Sequence, residues 1–265
     1  MSIDYTISDG IATITINHGK LNTLTPSMHR QMHDVMIEFL ADPNVRCGIL
    51  TGAGTKAFSA GDDLKADIPS TEPPIVQLFA ELTPTHRRNP GFDSYEWAKD
   101  VALLERFKPI IGVVRGWCLG GGLGCLLKLS DIRLATPDAK FGFPEISYGM
   151  AGAGALLQLS RILPRTAAMN MLLTGEPIDA EEAHRIFLIN EVVEDPEIDA
   201  RALSIAQKIA AHPPISVRLE MEGTLTSEQM SRQEAMSYGH RIYQLQRMAI
   251  GESEEQSFTT ARRNK

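Results

Sequence analysis

Three consecutive glycines stand inside the run Gly116-Trp117-Cys118-Leu119-Gly120-Gly121-Gly122-Leu123-Gly124, between the apolar, β-rich Ile110-Ile111-Gly112-Val113-Val114 and a helix-compatible stretch. A chain with this pattern passes from strand to helix through residues that tolerate positive φ, and it presents backbone N–H groups at a helix N-terminus, where partial positive charge collects. Such a turn can hold an oxyanion. It also permits tight strand–helix packing, and the glycines alone do not choose between the two. A second small-residue turn, Phe58-Ser59-Ala60-Gly61-Asp62-Asp63-Leu64, follows another apolar strand and offers a second N–H. Downstream, Phe141-Gly142-Phe143-Pro144-Glu145 carries a lone glutamate among aromatic residues. Two N–H donors and one carboxylate suit enolate chemistry.

The bulk properties bound the rest. A chain of 265 residues, 43% hydrophobic and 22% charged, can bury a substantial core, and one main domain with a small appendage is expected. The net charge of −7 disfavours nonspecific attraction to nucleic acid or anionic membranes, which need an exposed cationic field. Cys47, Cys118 and Cys125 are odd in number, lie in apolar contexts and lack metal-ligand spacing. They read as reduced core thiols of a cytoplasmic protein, with no metal site. The start, Met1-Ser2-Ile3-Asp4-Tyr5, has no basic region followed by an apolar run, and no segment approaches the roughly 20 apolar residues of a membrane span.

Along the chain, Ile3–Ile16 alternates apolar and polar around Asp9-Gly10, a hairpin signal. Thr25-Pro26 reads as the cap and first residue of a helix with Met28, Met32, Val35, Met36 and Phe39 on its core face. Cys47–Thr51, Ile110–Val114 and Ile132–Ala135 are expected strands. Between Ala66 and Asp93, five prolines and the cluster His86-Arg87-Arg88 mark an active-site flap or surface loop. A helix is expected over Gly154–Leu163 and another over Thr166–Leu173, stopped by Gly175. Asp179 with Glu182 looks like a capping box. From Asp199 onward the pattern is mostly helical. The class is α/β, and periodicity does not separate a spiral of two sheets from a doubly wound sheet.

The motifs Leu21-Asn22-Thr23-Leu24, Phe58–Leu64, Gly116–Gly124, Phe141–Gly149, Leu173-Thr174-Gly175 and Asn190-Glu191-Val192-Val193 follow one another in an order and spacing that resembles the enoyl-CoA hydratase/isomerase (crotonase) superfamily. The resemblance covers nearly the whole chain. It implies a crotonase-type ββα spiral over residues 1–200 and a helical C-terminal trimerisation region over 201–265, hence a homotrimer or homohexamer. It further implies an acyl-CoA substrate with no cofactor beyond its coenzyme A moiety. By position, the oxyanion donors are the backbone N–H groups of Asp62 and Gly121, and Glu145 is the catalytic carboxylate; a solvated strand-end glutamate is the plainer reading of that residue. Ala60, Leu64 and Gly120 join Asp62 and Gly121 as substrate contacts. Lys56 and Lys65 are candidate phosphate contacts or ordinary solvated charges, and Arg262, Arg263 and Lys265 could reach a neighbouring subunit's ligand.

Two departures stand out. Two-carboxylate hydratases of the superfamily carry a glutamate two residues after the glycine triplet, where this chain has Gly124; counting back from Asp131 gives Cys125, because one residue is extra here. Neither can serve as a carboxylate base. The loop Gly149-Met150-Ala151-Gly152-Ala153-Gly154 also lacks the usual proline and is one residue shorter. Asp62 and Asp63 are candidates to replace the missing carboxylate, and equally to cap a following helix. His86 could titrate near neutrality or be a solvated loop histidine. Gly152-Ala153-Gly154 lacks the strand and acidic partner of a dinucleotide loop. The expected function is that of a hydratase/isomerase working through an enolate, with a hydratase-lyase, decarboxylase or thioester hydrolase on the same scaffold, or a non-catalytic CoA-thioester binder, as alternatives.

Overall fold

The structure, a computed structural model, describes residues 1–66, 75, 97–151 and 153–249. The His86-Arg87-Arg88 cluster and Arg262, Arg263 and Lys265 lie outside the described residues. Strands β1 (Ser2–Ser8) and β2 (Ile11–Asn17) form the expected hairpin, turning through Asp9 at φ 51° and Gly10 at φ 74°. Helix α1 (Pro26–Ala41) is capped as expected: Thr25 Oγ1 accepts from the Met28 N–H at 3.3 Å. Its stripe of Met28, Met32, Met36 and Phe39 is buried, and Val35 is half-buried.

From β3 (Cys47–Gly52) the chain alternates between two sheets. β4 (Ala57–Ser59) belongs to the second sheet; after α2 (Trp97–Leu103), β5 (Ile110–Val114) returns to the first. β6 (Trp117–Leu119) goes to the second, and after α3 (Gly121–Leu129), β7 (Ile132–Ala135) and β8 (Lys140–Gly142) repeat the step. The result is a spiral, not a doubly wound sheet. The strands β3, β5 and β7 pair in parallel on one sheet, and β4, β6 and β8 in parallel on the other.

The helix expected over Gly154–Leu163 is divided. Gln158, at φ 50°, separates α4 (Ala153–Leu157) from α5 (Leu159–Ile162). Residues two apart cannot face the same way on a continuous helix. The break lets Leu157 pack against the core while Leu159 is fully buried in it. Helix α6 (Arg165–Thr174) ends at Gly175, φ 67°, as expected. After β9 (Ile178–Asp179), which closes the second sheet, Asp179 caps α7 (Ala180–Arg185) by accepting from the Glu182 N–H at 2.9 Å. Only half of the capping box forms, because the Glu182 carboxylate turns to Arg185 at 2.6 Å.

Strand β5 is apolar throughout, and β3 is apolar but for Thr51, because both faces of the first sheet are covered. On one face Leu50, Ile110 and Val114 join Phe39, Phe58, Phe141 and Leu126. On the other, Cys47, Ile111 and Val113 meet Ile198, Ala202 and Ala206 of α8 (Asp195–Ala210), which follows β10 (Glu191–Val192). Helix α8 thus crosses residue 200 while packing on the core sheet. Beyond it, α9 (Pro214–Ser227) and α10 (Arg232–Ala249) pack on each other. Cys47, Cys118 and Cys125 are all unpaired, and burial pushes the Cys47 thiol up to about 12.

Helix α1 has no basic residue in its last turn. Lys108, just before β5, fills that role: its Nζ donates to the carbonyls of Phe39 at 2.7 Å, Leu40 at 3.3 Å and Asp42 at 2.7 Å. These are carbonyls a helix end leaves without partners. Lys108→Met keeps most of the stem and removes the donor, so denaturant titration is expected to show a loss of about 1.5–3 kcal/mol, the range for hydrogen bonds to a charged group.

Candidate active site

Strands β4, β6 and β8 pair in parallel, with Ala57 beside Trp117 beside Lys140 and, after a one-residue register shift in β4, Ser59 beside Cys118 beside Phe141. Parallel strands release their following loops at the same end of the sheet. The turns Ala60–Asp63, Gly120–Gly121 and Phe143–Glu145, far apart in sequence, therefore meet. The Gly120 N–H donates to Gly142 O at 2.9 Å, tying the second to the third.

The first turn is splinted by the Leu21–Leu24 loop. Buried Asn22 donates through Nδ2 to Ala53 O at 3.0 Å and Ala57 O at 2.7 Å, and its Oδ1 accepts from the His18 N–H at 3.1 Å. The Ala60 N–H donates to Leu21 O at 2.9 Å, Leu24 N–H to Gly61 O at 2.9 Å, and Asp63 N–H to Leu24 O at 2.8 Å. Groups of alternate residues point to opposite sides of an extended chain. With Gly61 O and Asp63 N–H both turned to Leu24, the Asp62 N–H points away, to the side where β6 runs into Gly121. A Cβ built on Gly61 would lie 3.2 Å from the Gly121 nitrogen, so the two turns are in contact.

Gly120 holds φ 52° as the cap of α3, and Gly121 is its first residue. The first N–H groups of a helix have no intrahelical acceptor and point outward with the positive end of the dipole. Among the described residues, neither the Asp62 nor the Gly121 N–H has a backbone acceptor outside helix and strand bonding. A Cβ on Gly122 would lie 2.5 Å from Ser59 O, so only glycine lets the helix start this close to β4.

Pro144 opens a short 3₁₀ turn, Pro144–Tyr148, that aims Glu145 at this point. Its Oε1 lies 2.6 Å from where a Cβ on Gly120 would be, and its Oε2 is buried with no hydrogen-bond partner among the described residues. Burial first, and then the negative charge of Asp62, raise the Glu145 carboxyl above the ordinary carboxylate range. Phe141 and Phe143 are buried beside it, whereas Ile146 is partly exposed.

The Asp62 carboxylate takes the other side of the turn: Oδ1 lies 2.7 Å and Oδ2 3.2 Å from the place of a Cβ on Gly121. His29 Nε2, from α1, donates to Asp62 Oδ1 at 2.9 Å, the carboxylate oxygen being only an acceptor. Sequence reasoning passed over His29. Its signal is a histidine next to Met28 at the edge of an apolar stripe, and nothing local reveals a partner across the fold. Asp63 serves its own turn, its Oδ1 accepting from the Lys65 N–H at 3.0 Å.

The other candidates separate. A Cβ on Gly124 would meet Leu157 at 3.5 Å, in apolar surroundings. The Cys125 thiol is pushed up to about 12 by burial and then by the Asp62 charge. Neither position offers an ionisable group near neutrality. Lys56, just before β4, and Lys65, beyond the turn that follows it, are exposed, as is Leu64, while Ala60 is half-buried. Among the described residues no helix is long and apolar enough to cross a membrane.

Comparison with known proteins agrees with this fold. The family model described as enoyl-CoA hydratase/isomerase matches residues 6–252. The chain is 32% identical over 245 residues to (E)-benzylidenesuccinyl-CoA hydratase of Thauera aromatica, covering 92% of this chain and 90% of that protein. It is 36% identical over 215 residues to the short-chain-enoyl-CoA hydratase of Clostridium acetobutylicum, covering 80% and 76%. The crystal structure of an enoyl-CoA hydratase/isomerase from Mycobacterium paratuberculosis superposes with a TM-score of 0.79 at 26% identity, over 99% of this chain and 96% of that one. A shared spiral, a whole-length family match and relatives above 30% identity place this chain in the enoyl-CoA hydratase/isomerase family.

Proposed function

We propose that the protein moves a proton at the α-carbon of an acyl-CoA thioester, with the thioester oxygen bound between the N–H groups of Asp62 and Gly121 and the proton carried by Glu145. The observation that carries this reading is the meeting of two outward N–H groups with a half-buried carboxylate that lacks a partner on Oε2. Charge that develops on the thioester oxygen falls on donors already in place, and one such donor is worth roughly 3 kcal/mol of barrier in acyl-transfer enzymes. The names of the relatives put addition of water to a 2-enoyl-CoA first among the reactions such an enolate can serve. Gly120, Ala60 and Leu64 line the thioester, and Lys56 and Lys65 are the proposed phosphate contacts. The three unpaired thiols fit a reducing cytoplasm.

Glu145→Gln keeps the shape of the side chain but cannot take a proton. Turnover of enoyl-CoA thioesters is expected to fall on the order of 10²–10⁴-fold with CoA-thioester affinity little changed. Full activity in this variant would leave no base on the α-carbon. The wild-type pH profile follows from the direction of the Glu145 shift: a raised carboxyl holds its proton to higher pH, so the base form is lost as pH falls through that raised value. For α-proton abstraction the acid limb should therefore lie above the ordinary glutamate value of about 4.3, and it should vanish in Glu145→Gln.

Gly120→Ala places a methyl group 2.6 Å from Glu145 Oε1 at a residue with φ 52°. The carboxylate must move, and turnover is expected to drop by about 10²-fold, the scale of a 1 Å misplacement. Wild-type turnover from a folded Gly120→Ala protein would show that Glu145 does not act from this position.

The C-terminal region is proposed as a trimer interface. No residue of α9 is buried within the chain, and Met236, Tyr243 and Met248 of α10 are 67%, 58% and 83% exposed. Sedimentation at micromolar concentration should give three or six times the chain mass; a monomer would place these side chains in solvent and remove the proposal.

A further inference from the structure

The position that holds the second carboxylate in two-carboxylate hydratases is filled here by Gly124 or Cys125, neither of them ionised near neutrality, yet a second carboxylate does stand at the site. Asp62 is one of the two proposed oxyanion donors through its backbone, and its side chain flanks Gly121 as Glu145 flanks Gly120. We infer that Asp62 is the second acid–base group of this site, taking the proton of the water that adds to the substrate, and that His29 is the residue that positions it. The inference rests on the acyl-CoA reading above and specifies its reaction as hydration.

Several observations converge. A loop aspartate with no role beyond solubility would turn to solvent, but both Asp62 oxygens lie over Gly121 and one is bound by a histidine from α1. The His29 side chain is only 7% exposed, whereas that of Asp62 is 40% exposed. A buried imidazole fixes the carboxylate from behind, and the open side lets it exchange protons with water. The two carboxylates also sit in contrasting surroundings: Glu145 Oε2 is buried without a partner, and Asp62 accepts a hydrogen bond and is solvated. Pairs of carboxylates in unlike environments divide into an acid and a base. The raised carboxyl of Glu145 suits the acid.

The step balances as follows. The water oxygen bonds to the β-carbon of a 2-enoyl thioester, the π pair of the carbon–carbon double bond moves through the thioester carbonyl onto its oxygen, and the water proton passes to Asp62. The enolate then collapses and its α-carbon takes the proton carried by Glu145. Water has added across the double bond, Glu145 has lost a proton, Asp62 has gained one, and exchange with solvent restores both.

The full-length protein is tested with short-chain and aryl 2-enoyl-CoA thioesters for hydration, and with a saturated acyl-CoA in deuterated water for α-carbon exchange. Asp62→Asn keeps the backbone donor and the side-chain shape. Hydration kcat is expected to fall on the order of 10²–10⁴-fold with KM little changed, a far larger loss than in exchange, to which Asp62 contributes its backbone N–H and no proton transfer. His29→Leu should reproduce part of the kcat loss, and His29→Gln, whose amide can still donate to Asp62, should recover part of it. This pair keeps the test open if Asp62→Asn does not fold. Wild-type hydration by a folded Asp62→Asn protein overturns the inference, as does an equal fall in hydration and exchange, which would mean that only the turn had been damaged. A wild-type protein that exchanges but never hydrates overturns it and leaves the broader reading intact, whereas one inert in both assays removes both.

Discussion

The parallel pairing of β4, β6 and β8 is the constraint from which the site follows. Three-residue strands are too short to be stable alone, and each is held by its neighbours in the second sheet and by the first sheet across the core. Because all three run the same way, the loops after them open side by side at one end. β4 already carries one register shift against β6 between Ala57 and Ser59, and a further slip of a whole strand by a single residue would turn its side chains to the other face and separate the loops. Phe58 and Phe141, fully buried on β4 and β8, resist that shift, since either slip would take an aromatic ring out of the core.

Close approach comes next. The helix after β6 starts so near β4 that a Cβ on Gly122 would lie 2.5 Å from Ser59 O, and this crowding puts the first turn of α3 against the Gly61–Asp62 peptide. The Leu21–Leu24 loop then holds that peptide from outside through a ladder of backbone bonds, with buried Asn22 as its anchor. The glycine triplet is thus both a packing device and the source of outward N–H groups. Of the two readings that the sequence left open, the structure shows the packing one, and the oxyanion role is the one proposed.

Much of this was legible in the residues. The Asp9-Gly10 hairpin, the Thr25 cap and the Met stripe are local signals, and local geometry decides them. The three site motifs were legible as strand–turn patterns with glycine or proline at fixed places, although their meeting was implied only through the family resemblance. The helix expected over Gly154–Leu163 failed because tertiary burial of both Leu157 and Leu159 outweighed continuity at Gln158. The capping box at Asp179 closed only halfway because Arg185 offers Glu182 a charged partner. His29 was not legible at all: its meaning is a 2.9 Å contact with a residue on a different turn of the spiral.

An acidic side chain on a proposed oxyanion donor raises a problem of sign, and magnitudes show how it resolves. Two like charges about 4 Å apart near a protein surface repel by about 4 kcal/mol. One preorganised N–H donor returns roughly 3 kcal/mol. A charged Asp62 beside a developing enolate would therefore offset the donor carried by its own backbone. The conflict disappears if Asp62 takes up a proton as the enolate charge grows, which happens when the proton comes from the water that is adding to the β-carbon. The anion is then created on the thioester oxygen and removed from Asp62 in one event, and the site holds about the same charge before and after. A reaction without that proton, such as a simple α-proton shift, would leave both charges in place. On the proposed assignment, Asp62 at this turn favours addition of water over isomerisation, and the imidazole of His29 holds the carboxylate where the exchange of charge can occur.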